Sequence, residues 1–205
     1  MLIYLLDSFF SFSRVLIGVC LAIFIGIHFA LLRYLLPKKI KNSRIFNFFI
    51  DLPRFPPPIA WIPFVILIFG VGEFGAYIIV FIGALSPIFI STYEGLENVS
   101  IEQINSTKNF EIKGLKYYYF FLIPSALPHI AIGIKSSISM GWMSVIAAEM
   151  VTGQSGLGYA MQLYRLNLDY TKMVICMLLI SFIGYVLSIF VDKFEKKILF
   201  WVNKC

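Results

Sequence analysis

The sequence predicts an all-α integral membrane protein of about five transmembrane helices, and three observations predict it. Of the 205 residues, 60% are hydrophobic and 14% charged, and the mean hydropathy is +0.86; soluble domains run near about 45–50% apolar and 25% charged. Apolar segments recur along the whole chain at about the 20 residues that a helix needs to cross a bilayer. Lys and Arg gather in some of the connections between those segments and are scarce in the others, the asymmetry that sets topology in membranes. No linker, low-complexity stretch or internal repeat divides the chain, so residues 1–205 are expected to form one transmembrane domain.

The first span is expected over Val15 to Leu32, interrupted by His28. Ile59 to Gly72 is short for a span; with Pro56, Pro57 and Pro58 before it and Pro63 inside it, it reads as a broken or tilted crossing. Prolines are tolerated there when neighbouring helices satisfy the freed carbonyls. Phe74 to Thr92, Leu127 to Ala148 and Met173 to Val191 complete the five. The connection after the first span carries Arg33, Lys38, Lys39, Lys41, Arg44 and Arg54, and the tail carries Lys193, Lys196, Lys197 and Lys204, against Arg14, Arg165 and Lys172 on the opposite side. The positive-inside rule makes the first connection and the tail cytoplasmic and, with five crossings, puts the N-terminus outside. The start, Met1 to Asp7, lacks a basic region and a small-residue cleavage site, so no processing is expected. Cys20, Cys176 and Cys205 have neither disulfide-framework nor metal-ligand spacing. The net charge of +6 belongs to topology, since no base-stacking aromatic platform accompanies it and no nucleic-acid partner is expected.

Between the third and fourth spans, Tyr93 to Tyr117 holds Glu94, Glu97, Glu102, Lys108, Glu111, Lys113 and Lys116. At about 2.5–3.5 kcal/mol per charge at mid-bilayer, burying it in lipid would cost on the order of 20 kcal/mol. It must lie in water, on the cytoplasmic side. Ile101, Ile104, Thr107 and Phe110 fall at helical spacing among polar residues, which suits a short amphipathic helix. That helix either docks on a partner or rests on its own bundle.

Other constellations point to no chemistry. Gly70-Val71-Gly72-Glu73-Phe74-Gly75 fits the dinucleotide-binding pattern, but Ala76 to Ile90 after it is apolar on all sides, where a phosphate-binding helix on a soluble sheet has a polar face. The pattern reads as a tight turn at the outer membrane face. His28 and His129 lack carboxylate or thiol company, so no metal is expected and helix packing or a place at the membrane interface accounts for them. Nucleophile elbows, zinc-protease motifs and paired carboxylates do not occur. Lys135 lies well inside a span; it either snorkels to the interface or faces the interior and attracts an anionic solute. Glu149, at the far end of the same helix, is a gate or a packing contact. Gly133, Ser136, Ser137, Ser139, Gly141 and Ser144 let helix backbones pack closely, within one chain or at a dimer seam.

Several fragments taken in order resemble the permeases of binding-protein-dependent ABC importers, in the branch that takes up nitrate, sulfonates and taurine. They are Arg14-Val15-Leu16-Ile17-Gly18, Pro57-Pro58-Ile59-Ala60-Trp61-Ile62-Pro63 leading to Phe69-Gly70-Val71-Gly72-Glu73, and Leu122-Ile123-Pro124-Ser125-Ala126-Leu127-Pro128. Gly133-Ile134-Lys135, Ala147-Ala148-Glu149-Met150 and Ser155-Gly156-Leu157-Gly158-Tyr159 follow. The resemblance covers roughly Ser11 to Trp201. It implies the type I importer permease (MetI-like) fold, of which five spans are the minimal form; the family usually has one more span at its start, and a shortened gene start is the other explanation.

The resemblance also implies a coupling helix in the 93–117 stretch, seated on an ATPase subunit. Its candidates are Ile101, Glu102, Ile104, Asn105, Ser106, Thr107, Lys108, Phe110, Glu111 and Gly114. The family's Glu-Ala-Ala and Gly fall on Asn105, Ser106, Thr107 and Glu111, so this chain departs from the motif while keeping small residues at the two Ala sites. Implied partners are two ABC ATPases that carry the ATP and Mg, a second permease copy, a periplasmic or lipid-anchored solute-binding protein and the bilayer of a bacterial inner membrane; no cofactor is implied on this chain. Pro58, Trp61, Pro63, Lys135, Ser139, Trp142 and Glu149 are the candidates for a solute pathway. The rival reading is an ATP-independent secondary transporter or channel.

Overall fold

The computed structural model describes residues 2–100 and 117–199, and every regular element among them is helical. The first helix, α1 (Leu2–Leu35), is followed by a single turn at Lys38–Lys41 and by α2 (Arg44–Asp51). Two short 3-10 turns, Leu52–Arg54 and Pro58–Trp61, lead into α3 (Ile62–Phe69). Next come α4 (Glu73–Glu97), α5 (Ile123–Thr152), α6 (Leu157–Leu166) and α7 (Tyr170–Ile198).

Four of these segments, Tyr4–Leu35, Glu73–Glu97, Tyr118–Thr152 and Tyr170–Lys197, are long and apolar enough to cross a membrane. The contacts of residues 44–69 supply the fifth crossing. At one end Arg33 of α1 donates to Asn47 of α2 at 3.0 Å. Halfway along, Pro58 lies against Gly83 of α4, and at the other end Val65 lies against Gly75. The expected broken crossing is therefore two short helices with the proline run between them. The prolines dictate the break: Pro56 and Pro57 have no N–H to continue the ladder, and the residue before a proline is steered out of the helical region. The five crossings alternate in direction, so the start of α1 and the end of α7 lie at opposite ends of the bundle. Arg14 and Glu73 mark one end; Arg33, Lys41 and the basic last turn of α7 mark the other.

The helices outrun the expected spans. α1 begins at Leu2 rather than near Val15, which moves Arg14 from a flanking segment into the body of a helix. α4 continues to Glu97, so Tyr93 to Glu97 belong to a helix rather than to the polar connection. Charge marks where a helix leaves hydrocarbon and not where its hydrogen bonds end. Before α5 the backbone widens into a π turn at Tyr118–Leu122. Pro124 lies just beyond it, and its ring would clash with the carbonyl four residues back in a regular α-helix.

The core lies where α1, α4 and α5 meet, in two main clusters, one around Val15, Val19, Val80, Ala84, Trp142 and Val145, the other around Ile88, Leu96, Leu122, Ala126 and Ile130. Four of the small residues on α5, Gly133, Ser137, Gly141 and Ser144, are spent on this contact within the chain. Gly133 faces Ile88 and Ser91, Gly141 faces Val19 and Ala84, and Ser144 faces Gly83, while the Ser137 hydroxyl donates to the Ala84 carbonyl at 2.8 Å. Lipid tails are as apolar as Leu, so close van der Waals packing holds such helices together. The outside is correspondingly apolar: Leu67 is 82% and Phe120 77% exposed. The exposed His28 donates to Phe24 O, 2.7 Å away on its own helix, and His129 packs on Gly95, the helix-packing role expected of it. The glycine pattern at 70–75 is indeed a turn, between α3 and α4, with Gly70 at φ 77° as the cap of α3.

A Cβ on Gly141 would sit 2.5 Å from a Val19 methyl carbon. Gly141→Leu is expected to destabilise the protein by roughly 1–3 kcal/mol through overpacking, whereas Phe182→Leu on the exposed side of α7 stays within about 0.5 kcal/mol. Thermal unfolding of the two purified variants in detergent checks the difference.

Candidate functional site

At the Arg14 end a guanidinium is sealed inside the bundle. Arg14 is 1% exposed and Glu149 is fully buried. Helix α1 brings Arg14 between the start of α4 and the end of α5. One terminal nitrogen, Nη1, donates to Glu149 Oε1 at 2.7 Å and to the Ser155 carbonyl at 2.8 Å. The other, Nη2, donates to Glu73 Oε1 at 2.7 Å and to Ser155 Oγ at 2.6 Å. The Ser155 hydroxyl in turn donates to Glu73 at 3.1 Å. The second oxygen of Glu149 accepts from Ser11 Oγ at 2.8 Å and from the Gly158 N–H at 2.9 Å. Ser11 also accepts from the Leu157 N–H at 2.9 Å, and Asp7 accepts from the Gly156 N–H at 3.1 Å.

The pattern follows from what each group lacks. The first N–H groups of α6 have no intrahelical acceptor, and the positive end of the helix dipole favours an anion beside them. Glu149 and Ser11 meet both needs. Gly156 stands at φ 103°, and a Cβ there would run into the Glu149 carboxylate, so only glycine fits the turn. The turn from Gly153 to Gly158 is tied to α1 and α5 at every residue from Ser155 to Gly158. A planar fork with five donors suits several acceptors at once better than a lysine ammonium does. Chemically the site is a closed latch: the buried Arg14 and Glu149 neutralise each other, water is excluded from both, and no group of His, Cys, Asp or Glu among the described residues suits a metal ion.

Of the predicted pathway residues, Glu149 thus sits in the latch. Lys135, Ser139 and Trp142 come together on α5, facing Gly184, Leu187 and Ser188 of α7 across a cavity of about 160 Å³. Lys135 reaches α7, where its ammonium lies 2.7 Å from Asp192 Oδ1 and 3.5 Å from Glu195 Oε2. Its charge is met by two carboxylates, so an anion at this place would compete with them. Pro58, Trp61 and Pro63 belong to the broken crossing instead: Pro58 is wedged against Gly83, Trp61 stacks edgewise on Phe64 with ring centres 6.0 Å apart, and Pro63 is exposed in the first turn of α3. The ten residues from Ile101 to Gly114 assigned to coupling lie outside the described residues. Arg14 was absent from the predicted site because it was counted as a topogenic charge; the signal that could have found it is that Arg14, Glu73, Glu149 and Ser155 each lie in a fragment that carries the resemblance.

A five-crossing helical bundle with Arg14 and Glu149 paired inside it defines a polytopic membrane protein. Residues 18–200 match the family model described as "Binding-protein-dependent transport system inner membrane component". The chain belongs to this family of ABC transporter permeases, and its fold is of the MetI-like kind. It is 34% identical over 197 residues to a protein of Methanocaldococcus jannaschii named as an ABC transporter permease, covering 95% of this chain and 72% of that one. It is 28% identical over 160 residues to the aliphatic sulfonates transport permease protein SsuC of Escherichia coli, covering 78% of this chain and 61% of that one. Nitrate import and taurine transport permeases are also similar to it, as the resemblance implied. Among solved structures, a chain of the inward-facing MetNI methionine ABC transporter superimposes with TM-score 0.81 at 18% identity, covering 97% of both chains. At that identity the likeness speaks for the fold alone.

Breaking a buried ion pair from one side leaves an uncompensated charge, at about 3–5 kcal/mol. Arg14→Met is expected to lose stability on that scale, and Arg14→Lys to recover only part of it because one ammonium cannot serve Glu149, Glu73 and Ser155 together. Adding Glu149→Gln to Arg14→Met is expected to restore part of the loss. A double-mutant cycle on thermal unfolding reads the coupling; additive losses would mean that the pair is not a unit.

Proposed function

We propose that two copies of this chain form the membrane pathway of an ATP-driven importer for a small anionic solute of the nitrate, sulfonate or taurine kind. Two ABC ATPase subunits hold the ATP and Mg and grip the 101–116 segments at the basic end of the bundle. A periplasmic or lipid-anchored solute-binding protein delivers the solute at the Arg14 end. The chain itself is non-catalytic and carries no cofactor. It lies in the bacterial inner membrane with its N-terminus outside and its C-terminus in the cytoplasm.

The observation that carries this reading is a difference between the two ends. Glu97 and Tyr117, which flank the 101–116 segment, both lie at the end where Arg33, Lys41 and the basic last turn of α7 gather, and basic residues gather on the cytoplasmic side. The names of the relatives support the class of solute.

The purified permease with its ATPase and binding protein, reconstituted in liposomes, tests the coupling. Changing Ile104 and Phe110 together to Asp is expected to lower ATP-dependent uptake at least about tenfold, because two charges replace the apolar contact on which a switch of several kcal/mol depends. Uptake that is unchanged, or that needs no ATP in the unaltered protein, favours the secondary transporter. With Cys20 and Cys176 changed to Ser, a membrane-impermeant maleimide is expected to label Cys205 in inside-out vesicles and not in right-side-out ones; the reverse pattern inverts the topology.

A further inference from the structure

On its flank the bundle carries a second feature, unconnected with the latch. Helices α1, α2 and α4 enclose an open-sided groove of about 740 Å³, walled by Phe29, Leu32, Ile50, Phe81 and Leu85 among others, with Ser86 as its small polar member. This volume falls within the roughly 300–1,000 Å³ of small-ligand sites. The lining is apolar apart from Ser86 and two arginines, Arg33 and Arg54. Arg33 stands at the basic end of the bundle, beside Asn47 and Tyr93.

The two guanidiniums are incompletely used. Arg33 donates through Nη2 to Asn47 Oδ1 at 3.0 Å and lies 4.2 Å from the centre of the Tyr93 ring. It forms no ion pair among the described residues, and its buried Nε–H has no acceptor there. Arg54 is 43% exposed and touches a single carboxylate, Asp51, at 3.3 Å. The stacking on Tyr93 and the bond to Asn47 hold Arg33 in place while leaving its Nε–H free. An arginine so placed is set for an oxyanion, and a planar fork suits a phosphate best.

We propose that this groove is a site for one anionic phospholipid, its acyl chain along Phe29, Phe81 and Leu85 and its phosphate between Arg33 and Arg54. Charge complementarity selects this occupant. An acyl chain satisfies the apolar wall whatever its headgroup, but the two arginines share one ion-paired carboxylate, Asp51, so an uncharged or zwitterionic headgroup leaves one positive charge unmatched. Basic pockets between membrane helices on the cytoplasmic side bind anionic headgroups in this way. The inference needs only that the chain lies in a bilayer, so it stands apart from the proposed transport and its failure would leave that reading untouched.

Native mass spectrometry of the intact protein, purified with whatever subunits accompany it, tests the site. Phosphatidylglycerol is expected to be retained about fivefold over phosphatidylcholine, the scale of one basic contact to an anionic headgroup. Arg54→Gln removes most of that preference and leaves phosphatidylcholine unchanged. Ser86→Trp, which fills the groove, lowers retention of both lipids; should that variant not fold, Arg54→Gln against Arg54→Lys decides, since lysine keeps the charge. Equal retention of the two lipids, or a preference that survives Arg54→Gln, overturns the proposal. So does binding of soluble glycerol phosphate as tight as that of the whole lipid, which would make this an anion site. Ready disulfide formation between copies through Phe29→Cys, with the three native cysteines changed to Ser, would make the face a dimer seam and overturn it as well.

Discussion

A guanidinium held out of water must find its acceptors inside the protein, and the Arg14 end of the bundle is arranged around that need. Arg14 has two carboxylates, a hydroxyl and a carbonyl within hydrogen-bonding distance. They come from α4, from α5 and from the turn after α5, so one side chain sets the register of three crossings. Sliding α1 by one residue would turn Arg14 by about 100° and strand all three partners. The second oxygen of Glu149 then fixes where α6 begins, because it accepts the Gly158 N–H. Ion pairs of this kind are weak evidence for stability but exact a large penalty when half of the pair is missing. Their effect is to exclude other arrangements.

Below the latch the constraint changes from charge to volume. With no hydrophobic force between helices in lipid, α4 and α5 stay together because Gly83, Gly133 and Gly141 let side chains and backbones approach and because Ser137 returns a hydrogen bond to Ala84. The broken crossing belongs to the same solution. A continuous helix over residues 44–69 would have to bury three consecutive prolines, whereas two short helices let Pro58 enter the space left by Gly83. Most of α7, by contrast, presents large side chains outward: Phe182, Tyr185 and Phe190 are exposed.

The crossings, their alternation and the broken second one were legible in the sequence, because hydropathy and proline report directly on what lipid permits. Helix ends were not. α1 runs to Leu2 since Ser8, Ser11 and Ser13 do not interrupt a helix; the Ser8 and Ser13 hydroxyls turn back onto its own carbonyls. Arg14 was misread for a related reason. A single arginine among apolar residues looks the same whether it flanks a membrane or is paired within it, and its partners Glu73 and Glu149 are far away in sequence. The fragments that carry the family resemblance, from Arg14, through Glu73 and Glu149, to Ser155, converge in space at the latch. What reads as scattered motif wording in one dimension is one hydrogen-bonded network in three.

The two ends of the bundle are therefore unequal, and this bears on how such a subunit would move. At the Arg14 end, opening one chain from within would break a buried pair at about 3–5 kcal/mol, comparable with the roughly 5.5 kcal/mol needed to switch a two-state equilibrium fully. At the basic end the contacts are softer: Lys41 meets Glu97 at 3.2 Å with Glu97 half exposed, and Arg33 rests on an aromatic face. Under the proposed function, a push at the basic end is least costly when each chain turns as a body, keeping its latch closed, and access changes between the two copies. The latch then serves transport by holding α1, α4 and α5 as one lever, so that movement imposed at one end arrives at the other.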